Sequence, residues 1–205
     1  MHATLCDYLA DIVQNSIEAG ATLIEVGLAE DADKVNIRVK DNGKGMDAAT
    51  QARIWNPFYS EPGKHDHRRV GLGLPMLRQA VEAANGHGEI ESAPGRGTTI
   101  SFSFDTRHWD APPLGDVPGT LLGLMIHDGG YDLRFERIRG DRSYAISRRE
   151  LSEALGDLRE AQNLVLARDF LRGWEDDLTP AKTTNNKNDD AVAPGTSPAA
   201  GRQEQ

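Results

Sequence analysis

The chain contains one cysteine, Cys6, among its 205 residues, so it can form no intrachain disulfide and no thiolate metal cage, a usage that fits a reducing cytoplasm. No run approaches the roughly 20 apolar residues of a membrane-spanning helix. Met1 to Leu9 lack the basic and apolar stretches of a secretion signal. A cytoplasmic protein without membrane association is therefore expected. Positive charge is also scarce. With 23 Lys+Arg against 32 Asp+Glu the formal net charge is -9, which disfavours a broad phosphate-tracking surface and so nucleic acid as a partner. From Pro180 to Gln205 there is no aromatic residue and no Leu, Ile or Met. Such a segment buries too little apolar surface to offset its ordering entropy, and it is expected to be a disordered tail.

What is present reads as one domain with an appendage. Leu5, Leu9, Ile12, Val13 and Ser16 recur with a 3.6-residue period and Gly20 follows, which predicts a helix over about 3–19 with Asp7, Asp11, Asn15 and Glu18 on its other side. Residues 22–28 and 35–40 alternate apolar and polar and predict two strands. The turn-rich DNGKGM at 41–46 leads to a short helix at about 47–55. The stretch from Asn56 to Val70, dense in Pro, Gly, His and charge, predicts a mobile loop. Pro75 suits a helix start, Leu77, Ala80, Val81 and Ala84 continue that helix, and Asn85-Gly86 closes it. Residues 88–93 and 98–104 add two strands. The expected fold class is α+β, a two-layer α/β sandwich with a mixed sheet and its helices on one face. Prolines at 112, 113 and 118 suggest a division into 1–110, an appendage at 111–179 and the tail at 180–205. In the appendage, 120–127 and 131–138 flank Asp128-Gly129-Gly130 and predict a β-hairpin. Residues 143–147 predict a third strand, Ser147 with Glu150 a capping box opening a helix to Leu155, and Leu158, Val165, Phe170 and Trp174 mark a second helix.

Four elements could carry chemistry. Asp11 and Asn15, at i and i+4, emerge on one helix face, where an amide oxygen could serve Mg²⁺ and a carboxylate could act on water. In Asp41-Asn42-Gly43-Lys44-Gly45-Met46 the carboxylate of Asp41 accepts only, so it suits the exocyclic amine of adenine and repels the carbonyl of guanine. Gly43 and Gly45 permit close approach of a flat ligand, and Met46 suits a purine face. Gly71-Leu72-Gly73-Leu74-Pro75 runs into a helix start, whose free N–H groups can hold phosphate. Lys64, Arg68 and Arg69 precede it with His65 and His67, a cationic lid on an acidic chain. Thr98 opens the last strand with a hydroxyl that could complete the pocket beside Asp41.

In this order the elements resemble the nucleotide-binding fold shared by sensor histidine kinases, gyrase-type topoisomerases, heat-shock chaperones and MutL-type repair proteins, the GHKL class with its Bergerat-type fold. The resemblance covers about residues 3–105. DIVQNSIEAGAT looks like the N box, DNGKGM the first glycine box, NPFYS the F box, GLGLP the second glycine box and GRGTTISF the closing Gly-Thr strand. It implies that Asn15 holds Mg²⁺, Asp41 recognises adenine, Gly43 and Gly45 shape the purine pocket, and Gly71 to Leu74 meet the phosphates. It further implies that Thr98 backs the adenine and that Phe58 anchors a lid. Asp11 stands where the hydrolases of the class place a water-activating carboxylate. With 14 residues before Asn15, neither a phosphoacceptor helix pair nor autophosphorylation in the usual manner is expected. The resemblance implies Mg-ATP binding by a stand-alone ATPase or lid switch. The alternatives are a kinase acting in trans on a Ser or His of a partner, and a silent ATP-sensing adaptor. A protein partner is expected, and a homodimer remains open.

Overall fold

The computed structural model describes residues 4–54 and 73–179. In chain order it contains α1 (Leu5–Glu18), β1 (Leu23–Glu30), β2 (Lys34–Asp41), α2 (Ala48–Arg53), α3 (Gly73–Ala83) and β3 (His87–Ala93). There follow β4 (Gly97–Asp105), α4 (Val117–Ile126), β5 (Asp132–Arg139), β6 (Arg142–Ser147), α5 (Arg148–Leu155) and α6 (Ala161–Leu178). The strands form one sheet in the order β3-β4-β2-β1-β5-β6. All neighbours are antiparallel except β1 and β5, which run parallel from Leu23↔Asp132 to Glu30↔Arg139. The mixed sheet expected from the sequence is present.

Period two decides which face is covered. In β2 the side chains of Val35, Ile37, Val39 and Asp41 are buried while Lys34, Asn36, Arg38 and Lys40 are exposed. The helices therefore lie on one face, and the other presents charge to water. Across that open face Glu25 pairs with Lys40 of β2 and Arg134 of β5, at 3.6 and 4.0 Å. Under the helices, Leu5, Leu9, Ile12 and Val13 of α1 are buried against Ile24, Val39 and Phe102 in a single core cluster. Each such side chain contributes about 1.5–3 kcal/mol on burial. Thr4 caps α1 by accepting from the Asp7 N–H, while the Asp7 carboxylate accepts from the Thr4 N–H, a capping box.

Residues 120–127 are not a strand. Residues 120–126 lie in α4 and His127 is its C-cap; the first turn is capped by Asp116 accepting from the Gly119 N–H at 3.1 Å and carries Pro118 where a missing N–H is harmless. The reason is that the exposed side of this helix is made by Gly119 and Gly123, not by polar residues, so the buried side of Val117, Leu121, Leu122, Leu124 and Met125 has no polar contrast that would show a helical period. The short apolar run was rich in Leu and Met, which favour helix. Asp128-Gly129-Gly130 therefore links a helix to a strand. The hairpin of this region is β5–β6, turning at Gly140-Asp141 with Gly140 at φ +60. The capping box at Ser147 and Glu150 opens α5 as expected. The covered stripe of α6 also differs from the expected one. Asn163, Ala167, Leu171 and Leu178 are buried, whereas Val165 and Phe170 face solvent, because α6 rests on α4 and the sheet along a narrow line. The expected mobile loop and disordered tail lie outside the described residues.

Cys6 is buried in α1, and burial, opposed by a hydrogen bond with Thr120, pushes its thiol from 9.0 up to about 11. Between those values the unfolded chain is largely thiolate while the native chain keeps its proton, so the stability present in full below 9.0 falls as pH rises and is lost by about 11. Alkylation of Cys6 at pH 9 is expected to be slow in buffer and fast in denaturant. Equal rates followed by mass spectrometry would refute this.

Candidate nucleotide site

The site is assembled at the sheet end where β2 finishes and β4 and β1 begin. Asp41, the last residue of β2, points into the helix layer and is only 7% exposed. Its Oδ1 accepts from the Gly43 N–H at 2.8 Å and the Thr98 N–H at 3.2 Å. Its Oδ2 accepts from the Ser16 hydroxyl on α1 at 2.8 Å. A carboxylate offers about four lone-pair positions, so three donors leave one acceptor position open. That remainder suits a single N–H of a ligand and fits an adenine amine. Thr98 thus supports Asp41 through its backbone, not through the hydroxyl expected from the sequence. Its Oγ1 instead pairs with Ser92 Oγ at 3.0 Å.

The neighbouring turn is fixed by close backbone crossings. A Cβ on Gly97, at φ +77, would lie 1.9 Å from the carbonyl oxygen of Asp41, and one on Gly45, at φ +65, 2.0 Å from that of Ala93. Both positions demand glycine for steric and dihedral reasons together. Gly43 faces Ala19, where a Cβ would meet its carbonyl oxygen at 3.0 Å and Asp41 Oδ1 at 3.1 Å. The glycines are therefore needed first to let the chain pack on itself. Asn42 joins the strand ends: its Oδ1 accepts from the Thr22 and Leu23 N–H groups and its Nδ2 donates to Thr22 Oγ1. Ser92 accepts from the Met46 N–H at 2.9 Å, and Gln51 on α2 donates to the carbonyls of Met46 and Ser92. Met46 itself is half-buried.

Asp11 and Asn15 are both half-buried on α1. The start of α3 comes against this face: a Cβ on Gly73 would stand 2.6 Å from Asp11 Oδ2. Leu74 is half-buried and packs on the core. The structure therefore brings Ser16, Gly43 and Thr98 together around Asp41, and sets Gly73 against Asp11. Phe58, Lys64, Arg68, Arg69, Gly71 and Leu72 lie outside the described residues. So do His65 and His67, and among the described residues no three or more of His, Cys, Asp and Glu are grouped so as to hold a metal. Ser16, Asn42, Gln51 and Ser92 were missed as site residues. Ser16 carried a signal, a hydroxyl at a core position of an otherwise apolar stripe.

Residues 3–108, a little over half of the chain, match the profile of the family described as histidine kinase-, DNA gyrase B-, and HSP90-like ATPase. The sensor histidine kinase YxdK of Bacillus subtilis is 29% identical over 103 residues, 48% of this chain and 32% of that protein. The sensor histidine kinase CpxA of Escherichia coli is 34% identical over 88 residues, 42% of this chain and 19% of that protein. The matches thus span less than a third of the length of these relatives. The crystal structure of the N-terminal domain of a DNA repair protein superposes with a TM-score of 0.50 at 13% identity, covering 80% of this chain and 59% of its own, a likeness of fold. That coverage exceeds the family segment, so the likeness of fold continues into the strands and helices beyond it.

Proposed function

As this chain belongs to the histidine kinase-, DNA gyrase B-, and HSP90-like ATPase family, we propose that it is a Mg-ATP-binding protein of cytoplasmic signalling that hydrolyses ATP slowly or uses it to move a lid. The observation that carries this reading is the Asp41 carboxylate, buried, held by three donors and left with one acceptor position. Asp41 accepts from the adenine amine and excludes a purine carrying a carbonyl in its place. Asn15 offers an uncharged oxygen to the cation. Bound Mg-ATP supplies the phosphoryl group and the charge that offsets the phosphates. Asp11, beside Gly73, orients a water and takes its proton. Lys64, Arg68 and Arg69 offset charge on the phosphates from the lid segment, and Phe58 anchors that segment.

Turnover of γ-labelled ATP tests this, counting free phosphate and label on protein for wild type, Asp11→Asn and Asn15→Ala. The Asp11→Asn variant is expected to keep its ATP affinity and lose roughly 10²–10⁴ in hydrolysis. Full turnover in that variant would remove Asp11 from the mechanism. A second reading draws on the sensor kinases among the relatives: transfer in trans to a Ser or His of a partner. It predicts label on the added partner and little free phosphate.

A further inference from the structure

The sheet has two edges of different chemistry. On β3, Glu89 and Glu91 are exposed, and such charges discourage pairing with another chain. On β6 the exposed residues are Arg142, Ser143 and Ala145, and no strand among the described residues pairs with its outer side. The two-residue turn at Gly140-Asp141 makes Arg139 and Arg142 the first hydrogen-bonded pair. Alternation along the antiparallel ladder then turns the N–H and C=O groups of Ser143 and Ala145 outward. Both side chains are small and leave that row accessible.

The helix layer beside this edge carries a line of aromatic rings. Phe135 meets Tyr144 of β6 at 6.0 Å between ring centroids, Tyr144 meets Trp174 of α6 at 5.5 Å, and Trp174 meets Phe170 at 6.1 Å. This line of rings leaves the core and ends at Phe170, 51% exposed, one turn from Leu166, 48% exposed. An aromatic anchor beside an open strand edge is the combination that strand addition uses.

The chemistry selects the occupant. We infer that β6 is where two copies of this chain pair, antiparallel about Tyr144, joining their sheets into one, with Leu166 and Phe170 of each copy covering the seam. In that register Ser143 of one copy lies opposite Ala145 of the other, so every outward donor finds an acceptor and the reverse. Arg142 falls opposite Ile146, so like charges do not meet. Asp141 at the hairpin tip falls opposite Ser147, next to Arg148 and Arg149 at the start of α5, where a carboxylate is favoured by charge and by the helix dipole. Arg149 makes no ion pair among the described residues, and the twofold axis makes this contact twice. The inference is independent of the nucleotide reading.

Sedimentation equilibrium of the full chain over a concentration series tests it. Wild type is expected to be dimeric. Ala145→Pro, which removes an outward N–H, and Phe170→Glu, which charges the seam without touching the ladder, are each expected to give monomers with unchanged circular dichroism and ATP affinity. Asp141→Arg and Arg149→Asp are each expected to weaken the dimer, and their combination to restore it. A wild-type monomer at every concentration overturns the proposal, and that is also the result if residues 180–205 cover the edge within one chain. A dimer unmoved by both Ala145→Pro and Phe170→Glu overturns it as well.

Discussion

Asp41→Asn is expected to reverse the base preference of the nucleotide site while leaving the fold intact. The amide keeps one oxygen, which can still accept from the Gly43 and Thr98 N–H groups that Oδ1 serves now. The other oxygen becomes an amine facing Ser16, whose hydroxyl can turn to accept. The remaining position then offers a donor, which opposes the amine of adenine and suits the carbonyl of hypoxanthine. Loss of one hydrogen bond to a charged acceptor costs about 1.5–3 kcal/mol, roughly a tenfold to hundredfold loss of ATP affinity. The new donor adds a further gain for inosine triphosphate, so the ratio of ATP to inosine triphosphate affinity should fall by at least about a hundredfold. Calorimetric titration with both nucleotides measures this, and urea unfolding checks that stability is retained. Unchanged preference would place the base elsewhere.

Arg137→Ala is expected to produce the largest loss of stability of any single change outside the apolar core. Arg137 sits on β5 at a core-facing position and is 0% exposed. It donates to Glu30 of β1, to Glu175 of α6 at 3.1 Å and to the Ile138 carbonyl at 2.9 Å. Burial alone works against its charge, and the bonds to Glu30 and Glu175 outweigh burial, so the guanidinium titrates above the ordinary arginine range. Tyr144 also donates to Glu175, and its own hydroxyl is held protonated, first by burial and then by that carboxylate. Removing the cation leaves two largely covered carboxylates, among the described residues Glu30 with only Arg139 at 3.5 Å and Glu175 with only the Tyr144 hydroxyl, at a cost of about 3–5 kcal/mol. That is a large part of the roughly 5–15 kcal/mol that holds a domain folded. The expected result is a lower urea midpoint with an unchanged slope. The triple change Arg137→Met, Glu30→Gln, Glu175→Gln is expected to recover most of the loss, because no buried charge then lacks a partner. A single variant as stable as wild type would show that the three groups are solvated.

The two predictions draw on different parts of what could be read beforehand. Asp41 was legible because DNGKGM follows a strand of clear alternation, and the end of such a strand is where a buried carboxylate can meet the start of its neighbours. The place of Asp11 and Asn15 on one face of α1 was legible from the 3.6-residue period of its apolar residues, closed by a glycine. The role of Arg137 was not legible. It is one of two arginines in DLRFERI, and alternation puts it on the face of Leu133 and Phe135 with Arg134 on the other face, yet a charged residue followed by the apolar Ile138 blurs that pattern. The partners that allow a cation there, Glu30 and Glu175, come from distant segments and no local pattern names them.

By itself the sequence determined the elements whose signals are local: α1 with the glycine that closes it, the alternating β1 and β2, the turn that presents Asp41, and the capping box of α5. Each follows from side-chain period or from backbone groups satisfied within a few residues. Tertiary structure decided the rest. Packing against α1 and α6 made α4 a helix where the apolar run was ambiguous, and parallel pairing with β1 brought β5 and β6 into one sheet with the nucleotide site. Contact between distant segments made Ser16 a partner of Asp41 and made Gly97 indispensable beneath its carbonyl. Those outcomes depend on which surfaces meet, and a chain specifies that only through the whole set of contacts at once.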